Sequence, residues 1–272
     1  MLMLLSSASL AGAPETPARI VSLAPSTTEI LFALGLGDRI TGVTSFCDYP
    51  EEAKTKPKIG GMSNPSLEAI VSLKPDLVVM TTDGNPREVE ERLRSLKIKT
   101  YVFRARMLHE LPGGIRELGS AVGIENRADM LAGEIENSIR KAAEKKKTSL
   151  VYRPSPRKKV LFIVWPEPLI VAGPGTAIND AIVLLGLENT AARAKTAYPR
   201  YSIEALIHQA PDVLFIGKAT GMDMSAVSQG ILKKLSSIPA VRNGAVCYVG
   251  DDLYRLGPRI IKGIEELSEC VR

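Results

Sequence analysis

Ser66-Leu67-Glu68-Ala69-Ile70-Val71 runs on to Pro75-Asp76-Leu77-Val78-Val79, and the chain repeats the phrase as Ser202-Ile203-Glu204-Ala205-Leu206-Ile207 running on to Pro211-Asp212-Val213-Leu214-Phe215. The copies share one register: Ser, Glu, Ala, Pro and Asp are identical and the apolar positions match. Each reads as an N-capping Ser, a short helix, a Pro-Asp break and a buried strand. The Glu falls in the first helical turn, where a carboxylate suits the helix dipole. A repeat of this length predicts two similar halves. Two similar lobes enclose a cleft, and clefts bind ligands.

Working outward, short apolar strands alternate with helices on both sides of each copy. Strands are expected at Arg19–Leu23, Ile40–Ser45, Leu77–Met80 and Thr100–Phe103, with helices at Thr27–Leu34, Leu67–Leu73, Glu88–Leu96 and Leu111–Val122. The second half repeats this scheme. Its strands are Lys159–Val164, Val213–Ile216 and Val246–Val249, its helices follow Thr176, Ser202 and Pro258, and one more lies near Ile231–Leu235. Such alternation predicts α/β architecture: two Rossmann-like lobes with parallel sheets and a ligand cleft between them. Between the halves, Asn126–Lys147 carries Ala128, Leu131, Ile135, Ile139 and Ala142 at helical spacing. One rigid α-helix of about 33 Å is expected there, a stiff connector that allows only small lobe motions. The expected divisions are 1–17 (signal peptide and tail), 18–123 (N-terminal lobe), 124–148 (connecting helix) and 149–272 (C-terminal lobe).

With 272 residues, 45% hydrophobic and 24% charged, the chain has room for two ordinary cores. The net charge of +5 gathers at Arg140-Lys141, Lys145-Lys146-Lys147 and Arg153 to Lys159 without interleaved aromatics. That pattern suits a solvated helix end and loop better than a nucleic-acid surface. Met1–Ala13 has the apolar run and small-residue end of a secretory signal, though not its basic start, and no Cys follows it for lipid anchoring. Export from the cytoplasm is therefore expected. No later stretch is apolar enough to span a membrane. Of Cys47, Cys247 and Cys270, the last two fall on a strand and a helix of one half, where a bridge is possible if geometry permits. Only His109 and His208 are present and the cysteine spacing fits no zinc pattern, so no metal site is expected.

Arg19-Ile20-Val21-Ser22-Leu23-Ala24-Pro25-Ser26-Thr27-Thr28-Glu29, Asp48-Tyr49-Pro50, Leu73-Lys74-Pro75-Asp76-Leu77 and Gly257-Pro258-Arg259-Ile260 resemble the helical-backbone (class III) periplasmic solute-binding proteins of ABC importers. The resemblance covers nearly the whole chain after Arg19. It leans towards the cobalamin-binding members through Asp48-Tyr49-Pro50 and Asp251 to Arg255. It implies a monomer with no cofactor of its own, which captures cobalamin and delivers it to a membrane permease and its ATPase subunits. A ferric siderophore or haem is the alternative ligand. Position by position, it implies a ligand site built from Pro25, Ser26, Thr27, Phe46, Tyr49, Met62, Trp165, Tyr198, Asp251 and Arg255. It also implies that Glu68 and Glu204 dock to permease arginines. Aromatic residues that some cobalamin binders carry at the positions of Met62 and Thr81 are missing here.

Each assignment has a plainer counterpart. Trp165 follows an apolar strand and suits a core as well as a cleft mouth. Tyr198 suits a surface loop, or, in the haem reading, an iron-binding phenolate. Asp251 and Arg255 suit a structural ion pair, Glu68 and Glu204 suit ordinary first-turn acids, and Cys47 suits a buried thiol. An enzyme is not expected. Gly173-Pro174-Gly175-Thr176 lacks the third glycine of a dinucleotide fingerprint, and no phosphate-binding loop, nucleophile elbow or zinc-protease motif occurs.

Overall fold

The computed structural model describes residues 16–149, 157–218 and 222–271. The signal-like N-terminus and most of the loop at Ser149–Arg157 lie outside them. In the first half, β1 (Ile20–Ser22), α1 (Pro25–Ala33), β2 (Ile40–Val43), α2 (Glu51–Thr55), α3 (Leu67–Ser72), β3 (Leu77–Thr81), α4 (Arg87–Ser95), β4 (Thr100–Phe103) and α5 (Leu111–Ala121) follow in order. Helix α6 (Glu125–Ser149) leads to the second half. There β5 (Lys159–Pro166), β6 (Leu169–Val171), α7 (Ala177–Leu184), β7 (Glu188–Asn189), α8 (Ile203–Gln209), β8 (Val213–Gly217), α9 (Met224–Lys234), α10 (Pro239–Arg242), β9 (Val246–Val249) and α11 (Ile260–Cys270) follow.

The first sheet has the order β2-β1-β3-β4 and is parallel throughout. In the second, β5-β8-β9 are parallel, β7 continues that arrangement beside β5, and β6 alone runs antiparallel as a short return of β5. The central strands are buried on both faces, as crossover helices require. Val21, Leu23 and Val78 pack to one side of the first sheet while Ile20, Leu77 and Val79 pack to the other. In the second sheet, Leu161, Leu214 and Ile216 oppose Val160, Phe162 and Phe215 in the same way. One core is common to both lobes: Ala128, Ala132 and Ile135 of α6 join apolar residues of each sheet. At about 1.5 Å per residue α6 spans roughly 37 Å, and it packs on α5 of the first half and α11 of the second.

Several boundaries shift from the sequence expectation. Helix α1 starts two residues early because Pro25 occupies its first turn, where the missing N–H costs nothing. Helix α9 reaches back to Met224, capped by Asp223, whose carboxylate accepts from Ser225 N at 3.0 Å and Ala226 N at 3.3 Å. The Cys247–Cys270 bridge that geometry could have permitted is not formed. Both thiols are free, and Cys247 Sγ donates to the Cys270 carbonyl at 3.8 Å, since the last turn of α11 presents that oxygen to β9. Burial, and then Cys247 beside it, pushes the Cys270 thiol up to about 12.

Two glycines mark close approaches. Gly35 has φ +74°, and a Cβ there would lie 2.4 Å from Arg127 Nη1, where α6 reaches the end of α1. At Gly263 of α11 an added Cβ would meet Leu253 backbone atoms at 2.5 and 2.6 Å. That contact seats the turn at Asp251–Leu253 against the helix.

Candidate functional site

The carboxyl ends of strands in open α/β sheets point at ligand crevices, and here both sheets feed one cavity of about 800 Å³. Segments following β1, β2, β3 and β4 supply Pro25, Ser26, Phe46, Asp48, Asp83 and Arg106, and Met62 comes from the loop before α3. The second half supplies Trp165 at the end of β5, Tyr198, Met222, and the Asp251–Leu256 stretch after β9. Flat or soft side chains make much of the wall: Phe46, Met62, Phe103, Trp165, Tyr198 and Tyr254. Trp165 is fixed by its indole N–H, which donates to Glu167 O at 2.8 Å. Phe46 is 58% exposed, a large apolar side chain left open to the cleft.

Charge collects along the lobe boundary. Arg255 lines the cavity, and its guanidinium meets carboxylates from both lobes: Asp48, Asp251 at 2.5 Å and Glu29 at 3.5 Å. One turn on, Arg259 forks onto Glu29 of α1 through Nε at 2.9 Å and Nη2 at 2.6 Å, and also pairs with Asp252. Burial raises the Glu29 carboxyl above its ordinary range, and the two arginines oppose that shift. Tyr198 crosses the boundary too, since the Asp83 carboxylate of the first lobe acts on its phenol and both line the cavity. Burial first, and Asp83 second, raises that phenol well above the usual tyrosine range. Asp180 of α7 accepts from Leu108 N at 3.0 Å, a fourth link between the halves.

Of the expected ligand residues, Pro25, Ser26, Phe46, Met62, Trp165, Tyr198, Asp251 and Arg255 all line this cavity. Thr27 and Tyr49 do not. Thr27 is fully buried, its hydroxyl 2.8 Å from Ser22 Oγ and donating to Ala24 O at 3.0 Å, because the tight β1–α1 turn needs that hydroxyl for itself. Tyr49 faces outward beneath the Arg259 guanidinium, 4.1 Å from its ring centroid, a cation–π contact. Its neighbour Asp48 takes the place in the wall. Asp83 and Arg106 were also missed, although both follow strand ends and the carboxyl-end rule alone points to them. The pairing of Glu29 with Arg259 left no local signal.

The repeated segments lie apart from the cavity lining and match closely. Ser66 Oγ accepts from Ala69 N at 3.1 Å, and Ser202 Oγ from Ala205 N at 3.0 Å. Lys74 and Ala210 both adopt the left-handed conformation, with φ 47° and 46°. Asp76 accepts from Ala18 N and Arg19 N at 2.8 and 3.1 Å, and Asp212 from Lys159 N at 2.8 Å, so each clamps the start of its lobe's first strand. Glu68 and Glu204 are both exposed in the first turn, and one turn on Val71 and Ile207 stand 43% and 40% exposed. The Glu204 carboxyl is held below its ordinary value by its own backbone N–H and then by the Ser202 hydroxyl.

Among the described residues, no helix is long and apolar enough to cross a membrane, and no His, Cys, Asp and Glu cluster has metal-site geometry. Residues 20–253 match the family model for periplasmic binding proteins. A Bacillus subtilis ABC transporter substrate-binding lipoprotein, YvrC, uncharacterised in function, is 34% identical over 94% of this chain and 81% of its own length. The vitamin B12-binding protein of Vibrio vulnificus is 30% identical, covering 98% of this chain and 94% of its own. The apo structure of the periplasmic haem-binding protein RhuT from Roseiflexus sp. RS-1 superposes with a TM-score of 0.82 at 32% identity, covering 94% of this chain and 97% of that one. With its two parallel-sheet lobes around one cleft, this chain belongs to the periplasmic binding protein family, the helical-backbone class of ABC-transporter substrate-binding proteins, and is a binding protein rather than an enzyme.

Proposed function

We propose that this protein captures cobalamin or a related corrinoid outside the cytoplasm and presents it to an ABC permease through Glu68 and Glu204. The observation that carries the ligand assignment is the composition of the cavity wall: a mostly apolar lining that includes several flat or soft side chains, together with a few charged, hydrogen-bonding groups. A corrin is a broad disc with a partly apolar face and a rim of amides. Trp165, Phe46 and Met62 offer contact area to the face, and Asp48, Asp251 and Arg255 offer acceptors and donors to the amides. The likeness to the Vibrio vulnificus protein supports the same reading.

Haem is the second reading, favoured by the presence of Tyr198 in the wall and by the likeness to RhuT. Burial, and then Asp83, disfavours the phenolate in the ligand-free protein, whereas a bound ferric ion would favour it, so Tyr198 suits either ligand and the titration decides. The test is a calorimetric or absorbance titration of the purified protein with cyanocobalamin, haemin and a ferric siderophore. Saturable one-to-one cyanocobalamin binding supports the proposal. Haem binding that disappears in Tyr198→Phe, with no cobalamin binding, overturns it.

A further inference from the structure

We propose that Glu29 and Arg259 are positioning residues, a cross-lobe fastener that sets the width of the cleft and holds Arg255 and Asp251 in its wall. Glu29 sits on α1 of the first lobe, on the helix whose first turn contributes Pro25 and Ser26 to the cavity. Its side chain is 1% exposed, so its charge has few partners besides protein. Arg259 immediately precedes α11 of the second lobe. Its fork places one N–H on each Glu29 oxygen, at 2.9 and 2.6 Å, the geometry that makes an arginine–carboxylate pair directional as well as strong.

The pair is anchored on both sides. Arg259 also meets Asp252 of its own lobe and covers the Tyr49 ring of the other. Glu29 in turn lies 3.5 Å from Arg255, so it meets both arginines. The chain between the arginines packs directly on α1: a Cβ at Gly257 would stand 3.6 Å from Ser26 O and 3.7 Å from Glu29 Oε2. A shift of Arg259 away from Glu29 therefore carries the Asp251–Leu256 wall away from Pro25 and Ser26. Neither Glu29 nor Arg259 lines the cavity, so their action on a ligand passes through Arg255, Asp251 and the lobe spacing.

The test compares Glu29→Gln, which keeps the shape and removes the charge, and Arg259→Lys, which keeps the charge and removes the fork. Hydrogen exchange on the ligand-free protein needs no assumption about the ligand. Amides of residues 250–257 are expected to exchange about tenfold faster in Glu29→Gln and less than that in Arg259→Lys. Resting on the corrinoid reading, the second arm measures cyanocobalamin kinetics by stopped flow. The dissociation rate is expected to rise about tenfold while association changes less than threefold, the usual division when spacing rather than encounter is altered. Wild-type exchange in both variants overturns the proposal, as does a fall in Tm with unchanged dissociation, which would mark the pair as merely structural. If the wild type binds no cyanocobalamin, the ligand reading fails, and the exchange arm still decides for or against the fastener.

Discussion

The two copies of the Ser-x-Glu…Pro-Asp segment and the two walls of the cleft are both pairs drawn from matching lobes, yet they behave oppositely. The copies agree in N-cap, in burial along each helix, in the left-handed residue before the proline and in aspartate clamp. The walls share little. The first lobe presents Phe46, Met62 and Asp48, and the second presents Trp165, Tyr198 and Arg255. A lobe-to-lobe repeat suits a surface that meets the same chemistry twice. A ligand with two unlike faces needs unlike walls. Under the proposed function, the difference separates where a ligand is chosen from where it is handed on.

The largest effect expected of a wall residue is at Trp165. Trp165→Ala should weaken cyanocobalamin binding on the order of a hundredfold, as loss of a large buried aromatic anchor does, and calorimetry reads it directly. The same change should also lower the Tm by a few degrees, because Trp165 is half-buried against the second lobe's core. Gly263→Ala comes next. Its methyl group would clash with the Leu253 backbone, which displaces the Asp251–Leu253 turn and costs roughly 1–3 kcal/mol. Thermal unfolding shows the loss, and the ligand affinity falls with it.

Smaller effects sharpen the symmetry of the repeat. Asp76→Ala and Asp212→Ala each remove a charged acceptor from strand-start N–H groups, at about 1–2 kcal/mol. The two Tm shifts should agree within a degree or two, and a large disparity would break the equivalence of the copies. Ser66→Ala and Ser202→Ala remove N-caps for about 1 kcal/mol each, or roughly 2–4 °C in a chain of this size. Ser202→Ala has a further signature in an NMR titration, because the Glu204 carboxyl should move back up towards its ordinary value. That carboxyl is depressed in the folded protein. Its contribution is therefore present above its unfolded pKa and lost as pH falls through the folded value, a window below the ordinary glutamate range. In Ser202→Ala the acid-side slope of stability in that window should flatten.

Much of this molecule was legible in its residues. The repeat located α3, β3, α8 and β8, and the spacing of Ala128, Leu131 and Ile135 placed α6 to within two residues at each end. Helix periodicity and buried strands are local signals, and they survive into the fold. The β5–β6 return was not seen: Glu167 and Pro168 make its turn, and no spacing signals that Trp165 and Pro166 pair back onto Ile170 and Leu169. Helix α9 was read short because Gly230 interrupts its pattern, although the exposed glycine is tolerated with open space around it. The cleft residues were placed position by position by the family resemblance, whereas Thr27 and Tyr49 were displaced by hydroxyl bonding and ring stacking that no spacing reveals. Contacts such as Glu29 with Arg259, separated by 230 positions, exist only once both lobes are folded.

The separation of choosing from handing on is most directly tested with one variant, Glu68→Ala with Glu204→Ala, measured twice. Cyanocobalamin affinity is read on the purified protein and cobalamin uptake on cells that depend on it. Both carboxylates are exposed and remote from the cavity lining, so affinity should stay within about twofold of the wild type, within the usual scatter for surface changes, while uptake is lost. Uptake at the wild-type rate in the double variant would contradict the account.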